Sequence, residues 1–126
     1  MKIKIWGKSK VNEKEISLSE HIKDVLAVLN SLFNSLDQKV KPDLWELIKI
    51  VITYHDAGKV LPYYQRKTIK NDLYQPFDIY ANIPHSLFSA LLVDQTSLKE
   101  RLEKIFDSDE EKVENYSKYI LSAVAY

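Results

Sequence analysis

The feature that most constrains this chain is a long apolar run, "LWELIKIVIT", that leads directly into Tyr54, His55 and Asp56. Apolar side chains lie almost all round the helical wheel of this run, which indicates a helix buried on most of its sides. Asp43 is the predicted N-cap of the helix, and Gly58 stands where helices commonly end in the left-handed conformation. Other helices must cover such a buried helix, so the run predicts a helical bundle.

Helix-start signals predict the surrounding helices. Ser17 followed three residues later by Glu20 is a capping-box pattern, and it opens the amphipathic stretch "SLSEHIKDVLAVLNSLFNSL". Pro84 is suited to the first turn of a further helix, "PHSLFSALLV". The capping pattern recurs at Ser97 with Glu100 and at Ser108 with Glu111. The expected fold class is therefore all-α, a helical bundle.

Two segments lack the helical period. Ile3 and Ile5 alternate with lysines, which predicts a short strand or an extended N-terminal arm. Residues 60–83 carry two prolines and no regular period, and we interpret them as a loop with room for one short helix. A loop of that length in a compact domain is usually functional or mobile.

Composition sets the broad class. A chain of 126 residues with 45% hydrophobic side chains suits one globular domain over residues 1–126. The 18 basic and 18 acidic side chains cancel, so binding to nucleic acid needs a local patch rather than a global field. The absence of cysteine excludes disulfides and thiolate metal sites. Apolar runs fall short of the about 20 residues of a membrane span, and no signal core is present, so we expect a cytoplasmic protein with no membrane partner.

The chain has 3 histidines, His21, His55 and His85, and each stands on a predicted helix beside an apolar stripe. A lone histidine in that position is more often a hydrogen-bonded core residue than a metal ligand. Three helix-borne imidazoles and the carboxylate of Asp56 can nevertheless converge between packed helices, as ligands do in helical bundles. Imidazole and carboxylate together suit divalent transition metals, and one carboxylate can bridge two ions.

The motifs taken together resemble a known family. The order is "WGKS" near the N-terminus, "LSEH" opening the first helix, "HDAGK" after the apolar run, and "PHSLFSA". This arrangement resembles the HD superfamily of metal-dependent phosphohydrolases. Within that superfamily it resembles the CRISPR-associated HD nuclease of type I interference systems, which is either a separate protein or the N-terminal part of the helicase-nuclease. The resemblance extends over nearly the whole chain.

The resemblance implies roles for individual residues. It implies that His21, His55 and Asp56 bind one metal ion, that Asp56 bridges to a second ion, and that His85 binds the second. It also implies that Asp56 is catalytic and that Lys59 lies near the scissile phosphate. The ions expected are one or two of divalent manganese, magnesium, cobalt, nickel or iron.

The family also supplies a histidine pair and an aspartate downstream of a helix like "YILSAVAY", and no histidine follows His85 here. The apolar stripe of the last helix continues to Tyr126 with no stop signal. From the sequence we therefore expect an N-terminal fragment that lacks the C-terminal helices of an HD-type domain. This truncated chain is then a candidate for an inactive form of the enzyme.

A basic, aromatic segment is the predicted nucleic-acid contact. It carries four positive charges and no acid between residues 59 and 70, and basic groups mixed with aromatic rings suit single strands. Its members are Lys59, Arg66, Lys67, Lys70, Tyr63 and Tyr64. A solvated loop is the alternative. Residues 1–14, which hold five lysines and one glutamate, extend this basic surface, whereas residues 94–114, with eight acids and four bases, are expected to face away from it.

The function we expect is cleavage of single-stranded DNA, with RNA as a second substrate, during CRISPR interference. The partners implied are single-stranded nucleic acid and a CRISPR effector complex or helicase subunit, and the implied role is antiviral defence. Two alternatives stay open: an HD-type nucleotide phosphohydrolase, and a catalytically incomplete HD-like interaction module.

Overall fold

The computed structural model describes residues 4–36, 41–74 and 83–126. Ile3 and residues 75–82 of the predicted loop lie outside the described residues. The described part begins with a two-stranded hairpin and continues with helices. The elements are β1 (Trp6–Val11), β2 (Lys14–Ser17), α1 (Leu18–Ser35), α2 (Pro42–His55), α3 (His85–Leu91), α4 (Gln95–Ile105) and α5 (Glu110–Ala125).

Two short helical turns follow α2. A 3-10 turn spans Ala57–Val60 and ends where the predicted loop begins, and a π-helical turn spans Tyr64–Thr68 inside that loop. The π-helical turn is the short helix expected in this segment. Turns of this kind are frequent at functional positions, and these two connect α2 to the rest of the chain.

The N-terminal arm is an antiparallel hairpin. Its strands pair Trp6 with Ser17 and Lys8 with Ile16, with an irregularity between these two pairs. Asn12 and Glu13 form the connecting turn, and both have positive φ, at 50° and 63°. Two successive left-handed residues give a turn whose twist matches that of the strands. Ile5, where a strand or extended arm was predicted, lies just before β1, so the strand begins later than expected; β2 runs straight into α1.

The hydrophobic core lies among α2, α4 and α5. Each of these helices buries one stripe, and α4 contributes two side chains with no exposure at all, Leu98 and Leu102. The buried members of the cluster are Leu47, Ile50, Val93, Leu98, Leu102, Val113, Ile120 and Val124. Burial of a leucine or isoleucine side chain contributes roughly 1.5–3 kcal/mol, so this cluster fixes the three helices against one another.

Helix α2 is central, as the sequence predicts. It contacts α1, α3, α4 and α5, and it buries Trp45, Leu47 and Ile50. Phe33 of α1 meets the ring of Trp45 edge to face, with centroids 5.0 Å apart. Leu44 in the first turn is 48% exposed, so the burial is not complete all round. The all-α bundle with an N-terminal arm is confirmed.

The predicted helix caps are partly wrong. The Ser17 and Glu20 capping box is confirmed, with both reciprocal bonds present. Helices α4 and α5 instead begin at the aspartates Asp94 and Asp109, whose carboxylates accept backbone N–H groups of the first turn. A carboxylate satisfies those N–H groups and also interacts favourably with the positive end of the helix dipole, so a nearby aspartate is the cap in place of the predicted serine: Asp94 upstream of Ser97, and Asp109 directly after Ser108.

Two predictions at the ends of α2 are also wrong. The helix begins two residues earlier than expected, with Lys41 at the N-cap position and Pro42 in the first turn, so Asp43 is inside the helix. Gly58 is not left-handed, since no described glycine has positive φ. Gly58 belongs to the 3-10 turn, where its lack of a side chain lets the turn pack closely against α3.

Candidate metal centre

Four elements deliver their polar side chains to one point. His21 stands in the first part of α1, His55 is the last residue of α2, and His85 is the first residue of α3. Asp56 follows α2 directly, and Lys59 lies in the 3-10 turn. Residues that are far apart in sequence are therefore brought together at the ends and edges of packed helices.

The carboxylate of Asp56 is the common partner in this cluster. It is only 3% exposed, yet both of its oxygens are engaged. Oδ2 lies 3.0 Å from Nε2 of His21, 3.1 Å from Nε2 of His55 and 2.8 Å from Nζ of Lys59. Oδ1 lies 3.3 Å from Nε2 of His85. Two imidazoles thus face one oxygen and the third faces the other.

The donor set fits a divalent cation. Ligand atoms of His21, His55 and Asp56 all lie within 4.8 Å of one another. Metal bonds from such ligands are about 2.0–2.2 Å long, so two ligands of one ion are commonly some 3 Å apart, as the Nε2 and Oδ2 atoms are here. His85 lies beside the other carboxylate oxygen of Asp56 and is the third imidazole of the cluster.

The ring of His55 is oriented by the backbone of α2. Its Nδ1 lies 2.6 Å from the carbonyl oxygen of Ile52. A carbonyl oxygen only accepts hydrogen bonds, so Nδ1 carries the proton and donates it. In the neutral ring, Nε2 therefore directs its lone pair towards Asp56. This is the arrangement of a metal-binding histidine whose second nitrogen is held by a carbonyl group.

The charge of Asp56 is offset by Lys59 and by hydrogen bonds from imidazole. Burial by itself would raise the pKa of Asp56, but hydrogen bonds from His55 and Lys59 outweigh burial and hold that pKa well below its ordinary value. The hydrogen bond to Asp56 raises the pKa of His55 above its ordinary value of 6.5. Burial lowers the pKa of His85. Asp56 is therefore ionised at neutral pH and attracts any positive charge.

Both glycines of the chain lie directly behind a histidine of the cluster. A Cβ atom on Gly7 would come within 2.5 Å of Cβ of His21, and one on Gly58 would come within 1.9 Å of the carbonyl oxygen of His85. Neither distance is possible without displacing the neighbour. Gly7 thus lets β1 approach α1, and Gly58 lets the 3-10 turn approach α3, which brings His21 and His85 within reach of Asp56.

Ser89 connects the two halves of the site, and the sequence analysis gave it no role. Its side chain is fully buried, and its hydroxyl accepts a 2.7 Å hydrogen bond from the N–H of Gly58. The same oxygen lies 2.8 Å from the carbonyl of His55 and 3.1 Å from that of His85. Its spacing of four residues from His85, on one face of a predicted helix, was the available signal.

Lys59 points into the site rather than out towards solvent. Its Nζ donates to Asp56 and, at 3.0 Å, to the carbonyl oxygen of Gly7, and its side chain is only 13% exposed. In this arrangement the ammonium group offsets the charge of Asp56 and connects the N-terminal strand to the 3-10 turn. Lys59 is therefore largely buried, whereas the other predicted basic residues are exposed.

The remaining predicted contacts with nucleic acid lie on or near the π-helical turn. Arg66, Lys67 and Lys70 are exposed, and Tyr63 is half-buried. Tyr64 lies against His85, with ring centroids 4.4 Å apart. Tyr64 thus connects the π-helical turn, which carries exposed basic side chains, to the cluster.

Gln65 and Asn71 fasten the hairpin to the site, and the sequence analysis missed both. Gln65 is fully buried, and its side-chain amide makes four hydrogen bonds. Its oxygen accepts from the N–H of Trp6 at 3.0 Å and from the amide of Asn71 at 2.8 Å. Its nitrogen donates to the carbonyl of Trp6 at 2.8 Å and to that of Lys59 at 2.7 Å. Asn71, also fully buried, donates to the carbonyl of Lys4 at 3.0 Å. These bonds place Gly7, and with it His21 and Lys59.

The fold and the cluster define a class of protein. Helices that converge on adjacent His and Asp residues, with further helix-borne imidazoles, form the centre of an HD-type metal-dependent hydrolase. The sequence matches the family model described as Cas3, HD domain, over residues 6–125. The chain therefore belongs to the Cas3 HD-domain family, which is the CRISPR-associated HD nuclease family that its motifs resemble. No match was found among curated proteins or among solved structures.

One finding bears on the membrane. Within residues 4–36, 41–74 and 83–126, no helix is both long enough and apolar enough to cross a bilayer.

Replacing Gln65 by Met should destabilise the protein strongly. The change keeps the length of the side chain but leaves the N–H and carbonyl of Trp6, the carbonyl of Lys59 and the amide of Asn71 without their partner. Each unsatisfied buried group costs about 1–3 kcal/mol, so we expect the free energy of unfolding to fall by about 3 kcal/mol or more. Urea denaturation measures this. Arg66→Met, at the exposed neighbour, should change it by less than about 0.5 kcal/mol. Equal small effects would show that the amide bonds do not hold the hairpin.

The stability that His55 contributes should depend on pH in the metal-free protein. Because its pKa is raised in the folded state, its contribution is fully present below the ordinary value of 6.5 and is lost as pH rises through the folded pKa. In EDTA, we expect the difference in unfolding free energy between the native protein and His55→Gln to be larger at pH 5.5 than at pH 8.5. Urea denaturation at both pH values tests this, and a difference that grows with pH would contradict it.

Proposed function

We propose that this chain is a metal-dependent nuclease module that hydrolyses phosphodiester bonds of single-stranded DNA, with RNA as a second substrate. The observation that carries the proposal is the carboxylate of Asp56, which is buried and shared by three imidazoles on its two oxygens. Membership of the Cas3 HD-domain family supports nuclease chemistry in CRISPR-associated interference.

The proposed ligands of the first ion are His21, His55 and Asp56. Their ligand atoms are mutually close, and the ring of His55 is already turned towards the site by Ile52. His85, on the second oxygen of Asp56, is the proposed ligand of a second ion. The donor set suits manganese, magnesium, cobalt, nickel or iron. A divalent cation held there supplies Lewis-acid chemistry: it lowers the pKa of a water ligand and offsets charge on the phosphate.

The side chains around this centre have separable tasks. Asp56 stays ionised because its pKa is held low, and its burial keeps both oxygens aimed at the imidazoles. We assign Lys59 to the phosphate of the substrate, because a lysine ammonium on a four-carbon stem can exchange one anionic oxygen for another. In the absence of substrate the same ammonium rests on Asp56.

An open basic surface favours a polymeric substrate. Arg66, Lys67 and Lys70 are exposed beside the centre, where they suit the phosphates of a strand. Tyr63 and Tyr64 offer rings for stacking of bases, which is tolerant of sequence. We further propose that the module acts in the cytoplasm with a CRISPR effector complex or a helicase subunit, as part of antiviral defence.

Replacing Asp56 by Ala should abolish cleavage. The change removes the only group shared by all three imidazoles, so we expect the rate of manganese-dependent cleavage of a single-stranded oligonucleotide to fall by more than 100-fold, beyond the about 10- to 100-fold typical of residues that only support ligands. Rates from labelled oligonucleotides on denaturing gels measure this. Asp24→Ala, at an exposed carboxylate of α1, is the matched control and should keep full activity.

The same assay separates the alternatives. Hydrolysis of nucleoside triphosphates in preference to the oligonucleotide would assign the chain to nucleotide phosphohydrolysis. A native protein that gains thermal stability with manganese but cleaves neither substrate would make the chain an interaction module. Cleavage retained in Asp56→Ala would remove the residue from the mechanism.

A further inference from the structure

We propose that a groove between β1 and the turn at residues 69–72 binds the sugar-phosphate backbone of the single strand, away from the bond that is cut. The ligand class is a phosphodiester polymer, so the inference rests on the proposed function and adds to it a second contact point. The groove has a volume of about 270 Å³, and it is lined by Trp6, Ser9, Lys10, Ile69, Lys70 and Asp72.

The two walls of this groove come from segments that are distant in sequence and rigidly joined. One wall is β1 and the other is the end of the π-helical turn. The side chain of Gln65 bonds to both the N–H and the carbonyl of Trp6, and Asn71 bonds to the carbonyl of Lys4. Gln65 and Asn71 are both fully buried. The groove is therefore a built feature whose width is set by buried hydrogen bonds.

Lys70 is held at the rim by an unusual backbone conformation. It has φ of 65°, a left-handed conformation that residues other than glycine rarely adopt. Its neighbours keep it there, since Ile69 is 3% exposed and Asn71 is fully buried with its N–H bonded to the carbonyl of Gln65 at 2.8 Å. Non-glycine residues in such conformations cluster at ligand-binding positions. The consequence is an exposed ammonium group at a fixed point of the groove.

Lys10 supplies the second ammonium group. Its Nζ lies over the ring of Trp6, 5.0 Å from the centroid, and 3.6 Å from a carboxylate oxygen of Glu15. Glu15 uses its other carboxylate oxygen for Lys4, at 2.9 Å. One acid thus serves two lysines, which leaves positive charge on this side of the groove for an anion.

Charge favours an anion in this groove. Its lining contains two lysines, Lys10 and Lys70, and one acid, Asp72. The net positive charge selects an anion, and Asp72 opposes it.

The groove continues the path from the metal centre. The carbonyl of Gly7 accepts the bond from Lys59, and Lys10 stands three residues further along the same strand. At about 3.3 Å per residue this is about 10 Å along β1. A strand whose phosphate lies at Lys59 thus reaches the groove within a few nucleotides.

The test is binding of a fluorescein-labelled dT12 oligonucleotide in EDTA, measured by fluorescence anisotropy at several salt concentrations. Without metal the strand is not cut, so binding is read separately from cleavage. We expect the double substitution Lys10→Ala with Lys70→Ala to weaken binding about 10-fold and to reduce the salt dependence by about 0.7 per lysine. Asp72→Asn should act in the opposite direction and tighten binding about 3-fold.

Two controls make the result specific to the groove. Lys99→Ala with Lys118→Ala removes the same charge from exposed positions on α4 and α5 and should leave the affinity within 2-fold. In a Trp45→Phe variant, Trp6 is the sole tryptophan of the chain, and its fluorescence should change on addition of dT12.

Several outcomes would overturn the inference. They are no binding of dT12 by the native protein, equal losses in the groove variant and the Lys99 and Lys118 control, weaker rather than tighter binding by Asp72→Asn, or an unchanged Trp6 signal on binding. Failure of the proposed function has a different signature, which is binding of dT12 in the groove without any cleavage when manganese is added.

Discussion

The structure depends on the burial of one carboxylate. A carboxylate removed from water is tolerated only when charged or hydrogen-bonding partners surround it, and loss of a single partner of a buried ion pair typically costs 3–5 kcal/mol. Asp56 obtains its partners from α1, α2, α3 and the 3-10 turn, so the relative placement of these four elements is fixed by one side chain. The hydrophobic core among α2, α4 and α5 holds the other side of α2 and gives Asp56 its rigid base.

Close packing around that carboxylate explains why small and polar residues stand where they do. Gly7 and Gly58 have no side chain at the two points where backbones approach histidines. The small side chain of Ser89 places a hydroxyl within hydrogen-bond distance of three backbone groups. Gln65 acts in the same way between the hairpin and the site. Together these residues determine where the imidazoles lie, so their structural roles serve the chemistry of the site.

Much of this was predictable from the sequence, and the limits have physical causes. The apolar period gave α1, α2 and the bundle, because helix amphipathicity is a local property. The helical positions of His21 and His85 made a convergence on Asp56 possible, and the motif resemblance assigned it, since long-range contacts leave no local period. The roles of Gln65 and Asn71 were not predictable, because a buried amide looks in sequence like any polar loop residue. Gly58 was misread for a related reason: its φ is ordinary, and it is required by a neighbour 27 residues away in sequence, as the contact with His85 shows.

Charge balance connects the metal-free arrangement to the proposed chemistry. The charge of Asp56 is offset by the ammonium of Lys59 and by the hydrogen bond from His55, which raises the pKa of that imidazole. A divalent cation held by His21, His55 and Asp56 would carry the positive charge that these two groups supply, and the ammonium of Lys59 would then be available for a phosphate. Because Lys59 also bonds to Gly7, its release would loosen one tie to the hairpin, while the bonds from Gln65 and Asn71 would keep β1 and the groove beside it in place.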